Sequence, residues 1–202
     1  MMNMDIQPKS KALIFDLDGT LSDSLPVHVA TWNKVGEELG FRFNPQIVYE
    51  MTGRPTLEFA QRIASEFNLK TNPQEIVRLK QAAFHNSMEY LMPVKEVIAI
   101  VKEYYGKLPM AVGTGASRKS AELQLSTLGI RELFEVVVTA DDVTNHKPDP
   151  ETFLKCAWLM NINPEDCQVF EDGDLGIAAA KKAGMYVTDV RPFINYGEWA
   201  NV

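Results

Sequence analysis

The stretch Ala12-Leu-Ile-Phe-Asp16-Leu-Asp18-Gly19-Thr20 decides the fold of this chain. Its first four residues are apolar and show no helical period, which is typical of a buried strand. Asp16 and Asp18 follow where the strand ends, and side chains two residues apart in extended backbone point to the same side. Gly19 then allows the chain to turn sharply. The stretch predicts a strand that brings two carboxylates into one site, although a bare motif of this kind is more often an acidic turn without a function.

Polar groups also follow three later strands of the predicted sheet. Thr114 and Gly115 lie in a glycine-rich turn before a helix, where a hydroxyl and exposed N–H groups form a typical anion site. Lys147 stands close to two prolines, which restrict it and suit it to a contact with a phosphate or a carboxylate. Glu171 and Asp172 repeat the arrangement of a strand followed by carboxylates. Each stretch alone also fits ordinary turn, surface or helix-cap chemistry, but the four together favour a single site.

The rest of the chain alternates between predicted strands and helices, with one exception. The apolar runs predict strands over residues 11–15, 109–112, 135–139, 167–170 and 186–190. Single helices are predicted before or between the later strands, over residues 93–105, 117–128, 150–160 and 175–183. The exception lies between the first two strands, where we expect only helices, over residues 26–39, 45–51, 56–67 and 73–91. Strands separated by single helices indicate a parallel sheet with helices on both faces.

These patterns predict two parts in an α/β protein. The catalytic core is a doubly wound parallel sheet formed by residues 1–24 and 92–202, and a small all-helical cap, residues 25–91, is inserted after the first strand. An insert at this place lies above the carboxyl ends of the strands, where open α/β sheets bind their ligands. Its two links, residues 21–24 and 88–93, are candidate hinges, so we expect the cap to act as a lid.

Composition and charge exclude several classes of function. The 202 residues are 46% hydrophobic, which suits one large domain or a domain with an insert, and the net charge of −7 argues against nucleic acid and anionic membranes as partners. The chain has no run of 18 apolar residues, and residues 1–10 contain no apolar segment of the kind expected in a signal peptide. Cys156 and Cys167 form no CxxC motif and are predicted to be buried thiols in a reducing compartment. We therefore expect a soluble, cytoplasmic protein that is a monomer or a weak homodimer.

In this order, the four strand-end stretches resemble the motifs of the haloacid dehalogenase superfamily of phosphatases, and the resemblance covers nearly the whole chain. It implies a Rossmann-like core with the small cap between the first and second motifs. Within the superfamily, the chain is most similar to the β-phosphoglucomutase-like subgroup, particularly its bacterial fructose-1-phosphate and related sugar-phosphate phosphatases. This closer similarity rests on residues 110–115, 146–148 and 169–172. One departure is Gly173, where many relatives have Ser. The lack of the serine hydroxyl removes one hydrogen bond at most.

The resemblance implies hydrolysis through an aspartyl-phosphate. Asp16 would be the nucleophile, and Asp18 would protonate the leaving oxygen and then deprotonate the attacking water. Mg²⁺ would be bound by Asp16, the Asp18 carbonyl and Asp172, with Glu171 contributing through a water. Such a cation would also relieve the repulsion between neighbouring carboxylates.

The resemblance also implies which residues bind the substrate. In the core, Thr114, the N–H group of Gly115 and Lys147 would hold the phosphate oxygens. In the cap, the polar candidates for binding the sugar are His28, Arg54 and Lys80. A structural histidine is an equally good interpretation of His28, and a solvated helix face is the alternative for Lys80.

The predicted function is a Mg²⁺-dependent phosphatase for small sugar phosphates resembling fructose 1-phosphate. The alternative is a β-phosphoglucomutase, an isomerase that uses the same aspartyl-phosphate. Mutase-type relatives have an Arg three residues after the glycine that corresponds to Gly53, where this chain has Thr56, and this favours the phosphatase. A dehalogenase is disfavoured because the enzymes of the superfamily with that activity have no counterpart of Asp18. A non-catalytic binding module would be expected to have lost a motif residue, and none is lost here.

Overall fold

A parallel sheet of five strands organises the structure, which is a computed structural model that describes residues 4–194. In chain order, the strands are β1 (Ala12–Phe15), β2 (Ser22–Asp23), β3 (Met92–Pro93), β4 (Met110–Gly113), β5 (Val136–Val138), β6 (Cys167–Glu171) and β7 (Tyr186–Asp189). The main sheet has the order β5–β4–β1–β6–β7, and every neighbouring pair in it is parallel. The first strand is therefore at the centre, and both of its neighbours come from much later in the chain.

The described residues contain eight α-helices. They are α1 (Leu25–Leu39), α2 (Gln46–Met51), α3 (Thr56–Glu66), α4 (Pro73–His85), α5 (Lys95–Tyr104), α6 (Arg118–Thr127), α7 (Glu151–Leu159) and α8 (Asp174–Lys182). Each lies where the sequence predicts a helix. None of the helices in residues 4–194 combines the length and the apolar composition needed to cross a bilayer.

The alternation of side chains along β1 explains why helices cover both faces of the sheet. Leu13 and Phe15 belong to a buried cluster that includes residues of α5 and α6. Ala12 and Ile14 point the other way and belong to a second buried cluster, which includes residues of α7 and α8. Since all four residues are fully buried, β1 is apolar on both faces, as a central strand of a doubly wound sheet must be. The predicted fold class is confirmed.

Helices α1 to α4 pack around a cluster of their own. Its fully or nearly fully buried members come from all four helices and the connection after α1, and they are Leu25, Trp32, Val35, Phe43, Ile47, Val48, Met51, Ala60, Ile63 and Ile76. A smaller cluster joins this group to the core, because Phe84 and Met88 pack near Leu123 and Leu128 around α6. The boundaries of the cap at residues 25 and 91 remain a prediction, and we keep the name cap for this segment.

Two local features differ from the prediction. The links to the cap pair with each other as the short antiparallel strands β2 and β3, with Ser22 opposite Pro93 and Asp23 opposite Met92. The helix predicted to extend to residue 91 ends at His85, and a 3₁₀ turn follows at residues 88–90. Met88 is still buried there, so the apolar pattern continues although the helix does not.

Candidate active site

Three buried carboxylates meet at the carboxyl ends of β1 and β6. These strands are neighbours, with Phe15 opposite Phe170, so the residues that follow them are brought side by side. Asp16, Glu171 and Asp172 each offer an oxygen atom that lies within 4.8 Å of the others. The register of one strand pair therefore assembles two of the predicted motifs into one cluster.

Lys147 provides the positive charge in this cluster. Its Nζ donates to Asp16 Oδ1 at 2.6 Å and to Glu171 Oε2 at 2.7 Å, and the side chain is only 1% exposed. Burial alone would lower the pKa of Lys147, but Asp16 and Glu171 hold that pKa above its usual range, so the ammonium keeps its proton. The loop that carries Lys147 includes a cis peptide bond to Pro148.

The three carboxylates outnumber the one cation in this cluster, and the pKa values of Asp16 and Asp172 are raised. Burial and then the neighbouring Glu171 raise the pKa of Asp16 to about 8, despite the contact with Lys147. The pKa of Asp172 is also raised, again by burial and by Glu171. A cluster of hard oxygen donors with surplus negative charge is the donor set that suits Mg²⁺. The residues present therefore fit the predicted metal.

Contacts to the neighbouring turn orient Asp172 and Glu171. Thr20 Oγ1 donates to Asp172 Oδ1 at 2.8 Å, and the Gly173 N–H group donates to Glu171 Oε1 at 3.0 Å. A Cβ at Gly19 would lie 2.1 Å from Asp172 Oδ2, and Gly19 has a φ of +89°. Only glycine allows the turn after β1 to approach Asp172 so closely.

Asp18 is in a different electrostatic environment from Asp16. Its Oδ1 accepts hydrogen bonds from Ser24 Oγ at 2.6 Å, from His28 Nε2 at 3.0 Å and from Gln124 Nε2 at 3.0 Å. Burial alone would raise the pKa of Asp18, but these donors together hold that pKa well below its usual range. Asp18 is thus set as an ionised acceptor in this structure.

His28 and Lys80 continue the network from Asp18 into the cap. Lys80 Nζ lies 2.8 Å from His28 Nδ1, and His28 Nε2 faces Asp18. Since an ammonium can only donate, Nδ1 is the acceptor and Nε2 carries the proton. Burial and then Lys80 lower the pKa of His28, and burial lowers the pKa of Lys80 to about 8. Lys80 is 5% exposed, so its interpretation as part of a solvated helix face is wrong.

A cleft lies between the cap and the core. Its walls include most of the predicted site residues, namely Asp16, Asp18, His28, Arg54, Lys80, Thr114 and Gly115. The remaining ones, Lys147, Glu171 and Asp172, are joined to it through Asp16. Arg54 forms an ion pair with Glu58 on the following helix. Sequence reasoning missed Gln124, a fully buried residue in the middle of α6 that showed no distinguishing pattern.

The cap loop around Gly53 lies directly against the core. A Cβ at Gly115 would lie 2.4 Å from the Gly53 carbonyl oxygen, and one at Gly173 would lie 3.2 Å from the Thr52 methyl. On the other side of the cleft, His85 Nε2 lies 3.0 Å from Ser120 Oγ. The cap is therefore closed over the site, and Gly173, the departure noted in the sequence, makes room for Thr52.

Comparison with known proteins identifies several relatives. The chain is 41% identical over 179 residues to the fructose-1-phosphate phosphatase YqaB of Escherichia coli (strain K12). This alignment covers 89% of this chain and 95% of that protein. It is 29% identical over 179 residues to a phosphorylated carbohydrates phosphatase of Thermotoga maritima, covering 87% and 82% of the two chains. The crystal structure of β-phosphoglucomutase from Clostridium difficile matches with a TM-score of 0.77 and 27% identity, over 88% of this chain and 83% of that one.

The family assignment rests on the extent of the match. The sequence profile of the haloacid dehalogenase-like hydrolases aligns with residues 13–190, which include the cap and all of the sheet except the first residue of β1. Together with a relative at 41% identity, this confirms the resemblance that the four motifs predicted. The chain belongs to the haloacid dehalogenase-like hydrolase family.

Proposed function

We propose that this protein is a phosphatase that releases phosphate from small sugar phosphates through an aspartyl-phosphate. One observation carries the proposal. Asp16 and Asp18 line the same cleft, but their surroundings differ: Asp16 lies beside the buried ammonium of Lys147, and Asp18 accepts hydrogen bonds from His28 and two other donors. A pair of carboxyl groups in such different environments suits two different roles in one reaction.

In the first step, a carboxylate oxygen of Asp16 attacks the phosphorus atom and the bond from phosphorus to the sugar oxygen breaks. Asp18, which is ionised before the substrate binds, takes up a proton with the substrate and gives it to that oxygen, so the sugar leaves as an alcohol. In the second step, a water attacks the phosphorus atom of the aspartyl-phosphate and passes a proton to Asp18. The bond to Asp16 breaks, inorganic phosphate is released, and both carboxyl groups return to the states they had with the substrate bound.

The groups around Asp16 are suited to hold the transferred phosphoryl group. The hydroxyl of Thr114, the N–H group of Gly115 and the ammonium of Lys147 would bind its oxygens, because each can donate a hydrogen bond. Lys147 already touches the nucleophile at 2.6 Å, so its charge also lies where negative charge from the substrate would arrive. A closed cap excludes water from these contacts and so strengthens them.

We infer that Mg²⁺ is the cofactor. It would be held by Asp16, the Asp18 carbonyl and Asp172, with Glu171 contributing through a water. When bound, it supplies positive charge that offsets the repulsion between the carboxylates and the phosphate. The protein's own contribution is the fixed position of these oxygens, which Thr20 and the Gly173 N–H group stabilise.

The cap would select the substrate. His28, Arg54 and Lys80 are its polar groups in the cleft, and Trp32 and Phe59 supply apolar surface there. The relationship to the Escherichia coli phosphatase supports fructose 1-phosphate or a similar compound as the substrate. The proposal includes a small, diffusible substrate in the cytoplasm, and a protein that acts as a monomer or a weak homodimer.

A panel of phosphorylated sugars tests this proposal. We expect release of inorganic phosphate from fructose 1-phosphate or a related sugar phosphate, dependent on added Mg²⁺, with Asp16→Asn as the inactive control. Conversion of β-glucose 1-phosphate to glucose 6-phosphate without release of phosphate would instead show the mutase alternative. No phosphate from any member of the panel, with and without Mg²⁺, would overturn the proposal.

A further inference from the structure

Gln124 contacts Asp18 from the core side of the cleft. It lies on α6, its side chain is fully buried, and its Nε2 is 3.0 Å from Asp18 Oδ1. Within residues 4–194, no group donates a hydrogen bond to its Oε1. This contact joins residues that are 106 positions apart in the chain.

The orientation of the Gln124 amide follows from its neighbours. Asp18 Oδ1 already accepts hydrogen bonds from Ser24 and His28, so the amide must present its N–H group to this oxygen. The opposite orientation would place two acceptors 3.0 Å apart. The chosen orientation leaves a buried acceptor without a partner, which is unfavourable for folding. A hydrophobic side chain of the same size would avoid that penalty, so what the amide adds at this position is its hydrogen bond to Asp18.

The three donors to Asp18 lie on three different parts of the structure. Ser24 lies at the link into the cap, His28 lies on α1 within the cap, and Gln124 lies on α6, which packs on the core sheet. Opening of the cap would carry His28 away from Asp18. Gln124 would stay, because its helix belongs to the same body as β1.

We propose that Gln124 is a positioning residue that holds the Asp18 carboxyl group toward the leaving oxygen of the substrate. This inference rests on the proposed function, in which Asp18 protonates that oxygen. A misdirected Asp18 would slow the departure of an alkoxide, which needs a proton. It would hardly affect the departure of a nitrophenolate, which leaves without one.

The test compares two substrates on the Gln124→Met variant, which keeps the length of the side chain and removes the donor. The ratio kcat/KM reports formation of the aspartyl-phosphate, since the alcohol leaves in that step. For a sugar phosphate, we expect kcat/KM to fall about tenfold, as for the loss of one hydrogen bond to a charged group. For 4-nitrophenyl phosphate, kcat/KM changes by less than about twofold, whereas kcat falls because breakdown of the aspartyl-phosphate still needs Asp18.

Two controls separate this inference from others. Leu125→Met changes a buried neighbour on the same helix that belongs to the apolar core cluster, and it leaves the ratio between the substrates at the wild-type value. Because both substrates are measured on one preparation, the ratio is independent of the folded fraction. If Gln124→Met lowers kcat/KM for both substrates equally, or for neither, the inference is wrong although the proposed function stands. If wild-type protein releases phosphate from neither substrate, the proposed function itself fails.

Discussion

Asp16 and Asp18 show how neighbouring residues acquire opposite chemistry from their surroundings. They are two positions apart and line one cleft, yet the pKa of Asp16 is raised to about 8 and that of Asp18 is held well below its usual range. Burial acts in the same direction on both. The difference comes from what each oxygen faces, which is Glu171 for Asp16 and the donors His28, Ser24 and Gln124 for Asp18.

Asp16→Asn should abolish phosphate release and leave the fold intact. The amide keeps the shape of the side chain but is a poor nucleophile. Replacing a buried carboxyl group whose ionised form is disfavoured relieves repulsion with Glu171, so we expect an equal or higher Tm without metal. Phosphate release and a thermal melt check both parts. A variant that kept about a tenth of the wild-type kcat, with contamination excluded, would disprove the role of Asp16.

Lys80→Ala should lower kcat/KM for substrates that carry hydroxyl groups and leave it nearly unchanged for substrates without them. If Lys80 binds the sugar, its loss removes charge-assisted hydrogen bonds, and kcat/KM for a good sugar phosphate falls about tenfold or more. Propyl phosphate has an alkoxide leaving group but no hydroxyls, so its kcat/KM should stay close to that of the wild type. An equal loss for both substrates would mean that Lys80 acts through His28 on Asp18, at the 2.8 Å contact described above, and does not bind the sugar.

The core residues of the site that sequence reasoning found share one property. Asp16, Thr114, Lys147 and Asp172 each follow a strand, so the edge of a parallel sheet brings them together whatever the details of packing. Gln124 lies in the middle of a helix, where a buried polar residue has no local pattern that separates it from its neighbours. Its role depends on the approach of α6 to Asp18, and that approach is decided by tertiary packing alone.

At the scale of elements, long apolar patterns were predictable and short pairings were not. The central strand follows from an uninterrupted apolar run. The helices on both faces follow from apolar residues that recur with the helical period over about ten residues. The strands β2 and β3 contain two residues each, so neither has a pattern of its own. They form because the fold places the two links of the cap side by side. No local sequence pattern predicts that pairing.

The loop of the cap that carries Gly53 gives a prediction at this scale. In Gly115→Ala, the added Cβ would lie 2.4 Å from a backbone oxygen, which cannot move without moving the cap loop. We expect the cap to close incompletely and kcat/KM to fall about tenfold or more, because misplacement by about 1 Å disturbs the contacts to the substrate. Phosphate release measures this effect, and the Tm should change little, since the cap and the core keep separate clusters.

Gly173→Ala is the matched control for this closure. Its Cβ would lie 3.2 Å from the methyl group of Thr52, a side chain that can shift by a few tenths of an ångström. Its effect on kcat/KM should therefore stay below about threefold. Equal effects of the two substitutions would show that close backbone contact between cap and core does not limit turnover.

At the scale of the whole molecule, the acidic cluster makes stability depend on pH in an unusual direction. The pKa of Asp16 is 3.8 in an ordinary environment and about 8 in the fold. Between these values, the unfolded chain releases the proton that the folded, metal-free protein retains. The free energy of unfolding therefore falls as the pH rises through this window, and the contribution is fully present only at its acidic end.

Thermal melts of the metal-free protein test this dependence. Between about pH 5 and about pH 8, the Tm of the wild type should fall relative to that of Asp16→Asn, which lacks the titrating group. The variant serves as the control because it retains His28 and His85, whose lowered pKa values act in the opposite direction. Added Mg²⁺ should raise the wild-type Tm most at the alkaline end, since a ligand of the folded state stabilises it. Parallel curves for the two proteins would contradict the shift.

The pairing of β2 with β3 also bears on how the chain reaches its fold. Strand β1 must find β4 across the whole inserted segment, a contact of high sequence separation that usually slows folding. Since Asp23 and Met92 are neighbours, a segment 24–91 that folds early would bring its own two ends together. The chain entropy lost in closing that long loop would then already be spent, and β1 and β4 would meet as if only the two links and the crossover helix α5 joined them. Folding of the helices within the insert would in this way set the pace at which the central sheet forms.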